Sequence, residues 1–405
     1  MFKQKKNCMK NVIFIGSIYP QGMQDVLLKQ KSVVDFAGHT FQTALLNGLD
    51  HYYSEIKVIS SALTSSYPKV NIINFECQQF SHKGMVQKQD VYVGAINIPL
   101  LKLYSKFRRV KSELKKSLKP DDENIVIVYA PHSPFLLAAY KLRKYISKLC
   151  VVVPDLPEFM GAKPTGIRAI LKDLDKKLIN KCLSKFDGFV LLSPYMREKL
   201  HVGNKPWLQF EGIYQVPASQ NEDVTKEENR TIMYAGNIYR KRGVDMLLEA
   251  FSKIDKPNYR LWIRGNGEMK QEIIELSKKD PRIIYFEPMK REELLQLERR
   301  ATLMVNPTPA SWEFTKYFFP SKNMEFMASG TPTLMFKLAC LPEEYHQYLF
   351  FAEESVEALR DKILEICEKP QEELDAFGKK ASDFICHQKN AVVQAGRLVE
   401  FINNL

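Results

Sequence analysis

Short apolar runs of strand length recur along the chain, most of them followed by polar sequence of helical period. In the first half they are Asn11 to Gly16, Glu55 to Ser60, Val70 to Phe75, Ile125 to Ala130, Leu149 to Val153 and Gly188 to Ser193. In the second half they are Thr231 to Ala235, Tyr259 to Arg264, Arg282 to Phe286 and Thr302 to Asn306. Strands joined through helices lie parallel, and a parallel sheet is covered on both faces, which is why its strands are apolar throughout. An α/β protein follows. Residues 215–230 are polar, charged and without apolar period, and read as a linker between the two series. A chain of 405 residues exceeds one typical core, so two domains are expected.

The strands of the second series close on glycine, proline or basic turns: Gly236-Asn237 before Arg240, Lys241 and Arg242; Gly265-Asn266-Gly267; Glu287-Pro288-Met289; and Pro307. Parallel strands place these turns on one edge of the sheet, where ligands of open α/β sheets bind. The stretch from Tyr317 to Leu334 adds to that edge. Pro320 and Ser321 read as a helix start with the serine oxygen capping the first turn. Met324, Phe326, Met327 and Ala328 carry the helix to Gly330, and Thr331 to Phe336 reads as a buried strand. A helix start attracts phosphate, and Lys322 adds a full positive charge to it. Glu325, one turn on, is placed to accept hydrogen bonds from ribose hydroxyls. A nucleoside diphosphate fits this arrangement. The plain alternative is a solvated surface helix.

In the first half, Asn11 to Gly16 opens a nucleotide-type α/β domain without GxGxxG, so a dinucleotide cofactor is not supported. His132 follows the strand Ile125 to Ala130 between Pro131 and Pro134, at a strand's carboxyl end, and Pro154-Asp155 is a weaker candidate of the same kind. Between Leu100 and Leu118, Leu103, Phe107, Val110, Leu114 and Leu118 form an apolar stripe, with Lys102, Lys106, Arg108, Arg109, Lys111, Lys115 and Lys116 around it. Two readings fit: a core-packed helix with a solvated basic face, or an interfacial helix drawn to anionic membrane. The formal charge of +12 calls for an acidic partner, but it is spread along the chain with no recognition module, so nucleic acid is not expected. No run is long enough to span a membrane, and seven scattered cysteines without CxxC fit reduced thiols; a cytoplasmic protein is expected. Asp173 and Asp175 lie two apart in helical sequence, off any shared face, so no metal site is assigned.

On the residues Tyr234 to Phe251, Arg264 to Glu268, Glu292 to Leu294, Arg300 to Pro307 and Pro320 to Pro332, the chain resembles the retaining glycosyltransferase family 4 of the GT-B fold. In the first half the likeness is thinner: Gly16, His132, Phe186 to Ser193 and Glu211 to Ile213. The resemblance implies two Rossmann-like domains facing each other across a cleft: residues 1–214 for the acceptor, 215–388 for the nucleotide-sugar donor, and a C-terminal helix, 389–405, packing back on the body. It implies His132, Arg242 and Lys322 at the reacting groups. Gly16, Gly236, Asn237, Gly265, Gly267, Pro288, Met289, Tyr317, Ser321 and Glu325 would hold a UDP- or GDP-linked sugar, with no cofactor and no metal. Two positions depart from the family's pattern: Tyr317 stands where the first of its paired glutamates would be, and Asn237 where an arginine would be. The acceptor implied is a glycan or a lipid-linked molecule, in surface polysaccharide or glycoconjugate synthesis, with peripheral contact to the membrane. The rival is a non-catalytic partner of the same fold that stabilises or recruits an active transferase.

Overall fold

The computed structural model describes residues 9–84, 89–156, 166–217 and 224–405. The chain divides into two compact units, Met1–Ile213 with Ala391–Leu405, and Tyr214–Asn390.

The first unit contains strands β1 (Lys10–Gly16), β2 (Ile56–Ser60), β3 (Asn74–Phe75), β4 (Gln78–Phe80), β5 (Asp90–Tyr92), β6 (Ala95–Ile96), β7 (Glu123–Tyr129), β8 (Lys148–Val153), β9 (Gly188–Leu191) and β10 (Trp207–Gln209). Its first helices are α1 (Met23–Lys29), α2 (Phe36–Leu49), α3 (Leu101–Ser117), α4 (Ser133–Lys141), α5 (Ile167–Leu183) and α6 (Met196–Lys199). Eight strands form one sheet in the order β10-β9-β8-β7-β1-β2-β5-β4, parallel except where β4 runs against β5. Strand order reverses between β1 and β7. Every residue of β1 from Asn11 onward is buried, as the unbroken apolar run requires.

Two expectations fail in this unit. Val70 to Phe75 is not a strand: only Asn74–Phe75 pairs, in a small ribbon with β6. Val70 is buried from a turn while Ile73 is exposed, so the apolar residues there do not share one pleated face. Helix α3 is present but turned about its axis relative to the sequence reading. Its first half buries Lys102, Ser105 and Lys106, while Leu101, Leu103 and Tyr104 face outward; only further along do Val110 and Leu114 enter the core. The reason lies at the sheet edge beneath it. The chain leaving β2 presents backbone carbonyls there, and lysine ammoniums satisfy them where leucines cannot: Lys106 Nζ donates to Ala62 O at 2.6 Å and Lys102 Nζ to Thr64 O at 2.6 Å.

The second unit contains β11 (Arg230–Asn237), β12 (Tyr259–Asn266), β13 (Ile283–Phe286), β14 (Leu303–Asn306), β15 (Thr333–Phe336) and β16 (Phe350–Ala352). Its helices are α7 (Val244–Ser252), α8 (Lys270–Lys279), α9 (Arg291–Arg300), α10 (Ser321–Ala328), α11 (Val356–Cys367) and α12 (Gln371–Gln388). The six strands lie parallel in the order β13-β12-β11-β14-β15-β16, so the order reverses between β11 and β14. Each unit is therefore a doubly wound, Rossmann-like α/β layer structure with its own core.

The last helix, α13 (Ala391–Asn403), belongs to the first unit. It packs on α2, where Tyr52 Oη donates to Val392 O at 3.1 Å and Leu398 and Ile402 enter the core. Gly48 makes the approach possible: a Cβ there would stand 2.1 Å from the carbonyl oxygen of Ala391.

Candidate functional site

In the second unit the crevice where strand order reverses holds a pocket of about 460 Å³. The carboxyl end of β11 gives it Tyr234 through Asn237, β12 gives Arg264, Gly265 and Asn266, and Asn306 and Thr308 follow from β14. The remaining wall is Pro288, Arg242 and the segment from Phe318 to Lys322 with Phe326.

Two glycines are required by close backbone approach. Gly265 has φ 150°, and a Cβ on it would lie 1.8 Å from Gly236 O. Gly243, at φ 73°, ends the turn that carries Arg242, and a Cβ on it would lie 1.9 Å from Pro307 O. The turn after β11 is thus pressed against the one after β14.

Of the three basic residues in that turn, only Arg242 reaches the pocket. Its guanidinium carbon stands 5.6 Å from the centroid of Phe314 and 5.3 Å from that of Phe318, and among the described residues the guanidinium makes no hydrogen bond. Aromatic faces hold the group in place and leave its donors unspent. Arg240 turns away to Glu272 at 2.6 Å, and Lys241 lies over Tyr239. Of the three basic residues that the sequence places at this edge, Arg242 alone enters the pocket wall: a short 3-10 turn over 240–242 sends successive side chains in different directions.

Helix α10 starts as read, with one change. Pro320 takes the N-cap position, Ser321 is the first helical residue, and no side chain caps the turn. Proline's missing N–H suits that position, and the serine hydroxyl has no capping role. Lys322 lines the pocket and pairs with Glu325 Oε2 at 2.5 Å. Gly330, at φ 81°, ends the segment in the left-handed conformation, and the following strand begins at Thr333.

Gly236, Asn237, Arg242, Gly265, Pro288, Ser321 and Lys322 are thus brought together. Gly267, Met289, Tyr317 and Glu325 are outside the wall itself. Met289 offers its carbonyl to Arg264 at 3.0 Å, Gly267 donates its N–H to Asn266 Oδ1 at 2.9 Å, and Tyr317 closes the turn Glu313–Lys316. Gly16 and His132 lie in the first unit, at the carboxyl edge of its sheet. The place a Cβ on Gly16 would take is filled by Gln42, whose Oε1 accepts from Ser17 N at 2.8 Å. That close approach gives the glycine a packing role in the first unit. His132 precedes α4, its ring meets Phe135 edge to face at 5.0 Å, and its Nε2 is buried without a partner. Burial first, and then the charges of Lys106 and Lys102, push its pKa down to about 3, so the imidazole is neutral at neutral pH.

Sequence reading missed four residues. Arg264 shares the wall with Arg242; its place at the end of an apolar strand was the available signal. Phe314 and Phe318 hold Arg242. Glu298 is buried in α9, with a pKa raised to about 8 by burial and then by the charge of Glu325. Its position four residues after Leu294, on the helix face that packs inward, is what singles it out.

Residues 229–369 match the family described as Glycosyl transferases group 1. The matched stretch contains the whole pocket wall. Solved structures resemble the entire chain. Sucrose-phosphate synthase from Thermosynechococcus elongatus aligns at 15% identity over 98% of each chain with a TM-score of 0.60. The lipopolysaccharide outer core galactosyltransferase WaaB, in its apo form, aligns at 14% identity over 98% of this chain and 99% of that one, with a TM-score of 0.61. Anabaena Alr3699/HepE in complex with UDP aligns at 12% identity over 98% of this chain and all of that one, with a TM-score of 0.60. At these identities the likeness concerns the fold, which is that of the GT-B glycosyltransferases. A search of curated proteins returned no match.

Proposed function

We propose that the protein is a retaining glycosyltransferase that moves a sugar from a UDP- or GDP-linked donor to a glycan or lipid-linked acceptor, in the assembly of a surface polysaccharide or glycoconjugate. The observation that carries this reading is Arg242. A guanidinium resting on two aromatic rings, facing a pocket with its donors unspent, suits a diphosphate that gains charge as the sugar leaves. Lys322 and the uncapped start of α10 lie in the same wall and add positive potential there. Glu325 binds the ribose, Pro288 and Met289 border the base, and Asn237 and Tyr317 give this donor site its variant character. His132, neutral and with a free ring nitrogen, is the residue of the first unit assigned to the transferred sugar in this reading. In the retaining reaction proposed for this protein the leaving phosphate takes the proton from the acceptor hydroxyl, so the protein's part is to hold donor and acceptor in line and to stabilise the departing charge.

A lipid-linked acceptor accounts for the outward face of α3. Leu100 is 72% exposed and Tyr104 60%, with Leu101 and Leu103 beside them and Arg108, Lys111 and Lys115 further along the same helix. On α5, Ile170, Leu171 and Leu174 are also exposed among lysines. Apolar side chains with flanking bases suit the surface of an anionic bilayer, seated on its cytoplasmic side. Among the described residues no helix is long and apolar enough to cross one.

The test is thermal stabilisation by UDP-, GDP-, ADP- and CMP-linked sugars on wild type and Glu325→Ala, followed by the anomeric configuration of any product. A selective shift that the variant loses supports the donor assignment, and an inverted product refutes the retaining one. No shift with any donor refutes the reading.

A further inference from the structure

Buried ammonium groups without a carboxylate are uncommon, because leaving water costs an ion several kcal/mol unless an opposite charge replaces it. The first unit holds two such groups side by side. Lys106 is 3% exposed and Lys102 8%, and neither has an acidic partner among the described residues. Lys106 spends one of its three donors, on Ala62 O, and Lys102 two, on Thr64 O and Oγ1. Burial, and then Lys102, lower the pKa of Lys106 to about 7, while burial alone lowers that of Lys102 to about 8. Two further polar groups stand on the same sheet edge. Ser61 Oγ, next to the residue that receives Lys106, is buried without a partner, and so is Nε2 of His132, which feels both lysine charges. Helix α4 starts directly after His132 with no side chain capping it.

Carbonyl satisfaction alone does not explain two adjacent cations there, since a serine or asparagine would supply a donor without a buried charge. We infer that Lys102, Lys106 and Ser61, with the N–H of Ser133 at the start of α4, form a binding site for a phosphate group of the acceptor. An anion entering past His132 meets the donors the lysines leave unspent and supplies the charge they lack. The inference rests on the proposed function only in calling the ligand an acceptor; the site itself is independent of the donor pocket. A phosphate this close to His132 implies an acceptor whose phosphate is near its receiving hydroxyl, carried either by a soluble sugar phosphate or by a lipid headgroup.

The experiment uses the full chain carrying Arg242→Ala, Arg264→Ala and Lys322→Ala, which removes the three basic side chains of the second unit's pocket wall. Glycerol 3-phosphate is titrated calorimetrically into this protein, and vesicles of phosphatidylcholine with and without phosphatidic acid are tested in parallel. Expected is saturable binding in at least one arm, weakened at least tenfold by Lys106→Met or Lys102→Met and unchanged by Arg108→Met. The responding arm identifies the source, soluble or lipid. Lys106→Met is also expected to melt no lower than its parent, since it removes an unpaired buried charge; a residue serving only to tie down Ala62 would melt lower and leave phosphate binding intact. Should Lys106→Met unfold, Lys102→Met decides. Binding in neither arm, or binding indifferent to both lysines, overturns the inference. Failure of nucleotide sugars to bind wild type would instead refute the donor reading and leave this site standing.

Discussion

Replacing Glu298 by glutamine should stabilise the protein, and increasingly so as the pH rises. Glu298 is 2% exposed, and its folded pKa of about 8 exceeds the ordinary 4.5. An acid with a raised folded pKa holds more protons folded than unfolded between those two values, so wild-type stability falls as the pH climbs through that window and levels off above about 8. Each unit is worth about 1.4 kcal/mol, so the full loss is on the order of 5 kcal/mol. Glutamine is isosteric with the protonated acid and does not titrate. The two proteins should therefore be nearly equal at pH 5 and separate progressively toward pH 9. The charged groups that face Glu298 act on its ionised form and are already contained in that pKa: Glu325 raises it, while Lys322, Arg264 and Arg291 lower it. Urea unfolding followed by tryptophan fluorescence across this range is a suitable assay, because Trp262 shares an apolar cluster with Leu294, one turn before Glu298. Parallel curves for the two proteins from pH 5 to 9 would refute the reasoning. A difference of opposite sign would show Glu298 ionised and held by the arginines. The matter bears on donor binding, since an ionised Glu298 would cancel positive charge at the pocket wall.

Arg242→Ala should weaken UDP binding by about 10- to 150-fold, from the roughly 1.5–3 kcal/mol of a charged hydrogen bond, whereas Arg240→Ala should change it little, as calorimetry would show. Gly265→Ala forces a Cβ against Gly236 O and should destabilise the second unit by about 2 to 4 kcal/mol, measured by urea midpoint. Leu101→Asp combined with Tyr104→Asp should abolish flotation with anionic vesicles and leave UDP binding unchanged; persistent flotation would remove the outward face of α3 from the membrane reading.

The parallel strands and the position of the pocket were legible because runs such as Ile125 to Ala130 and Thr231 to Ala235 can be little else, and because turn residues mark the carboxyl edge of a sheet. Arg242 and Lys322 were legible as charges held at that edge. What separates Arg242 from Arg240 is a difference of one turn's geometry together with two rings, Phe314 and Phe318, contributed from more than seventy residues away. No local pattern encodes that. Helix α3 was misread for a related reason. Periodicity assigns the leucines to the core by default, yet the elements beneath this helix offer carbonyl oxygens, and the helix turns its lysines to them. Glu298 could have been found, since a carboxylate on an inward helix face is a conflict that local rules cannot resolve.

The placement of α13 bears on how the protein is made. During synthesis the second unit must emerge in full before the segment that completes the first unit is available. At roughly 5–20 residues per second, the stretch from 214 to 390 keeps the ribosome busy for about 10 to 35 s. Throughout that interval the groove on α2 around Gly48 lacks its cover, and the first unit waits as an unfinished, adhesive body. A nascent chain stalled or cut anywhere within the second unit would leave that groove open for chaperones and proteases to find.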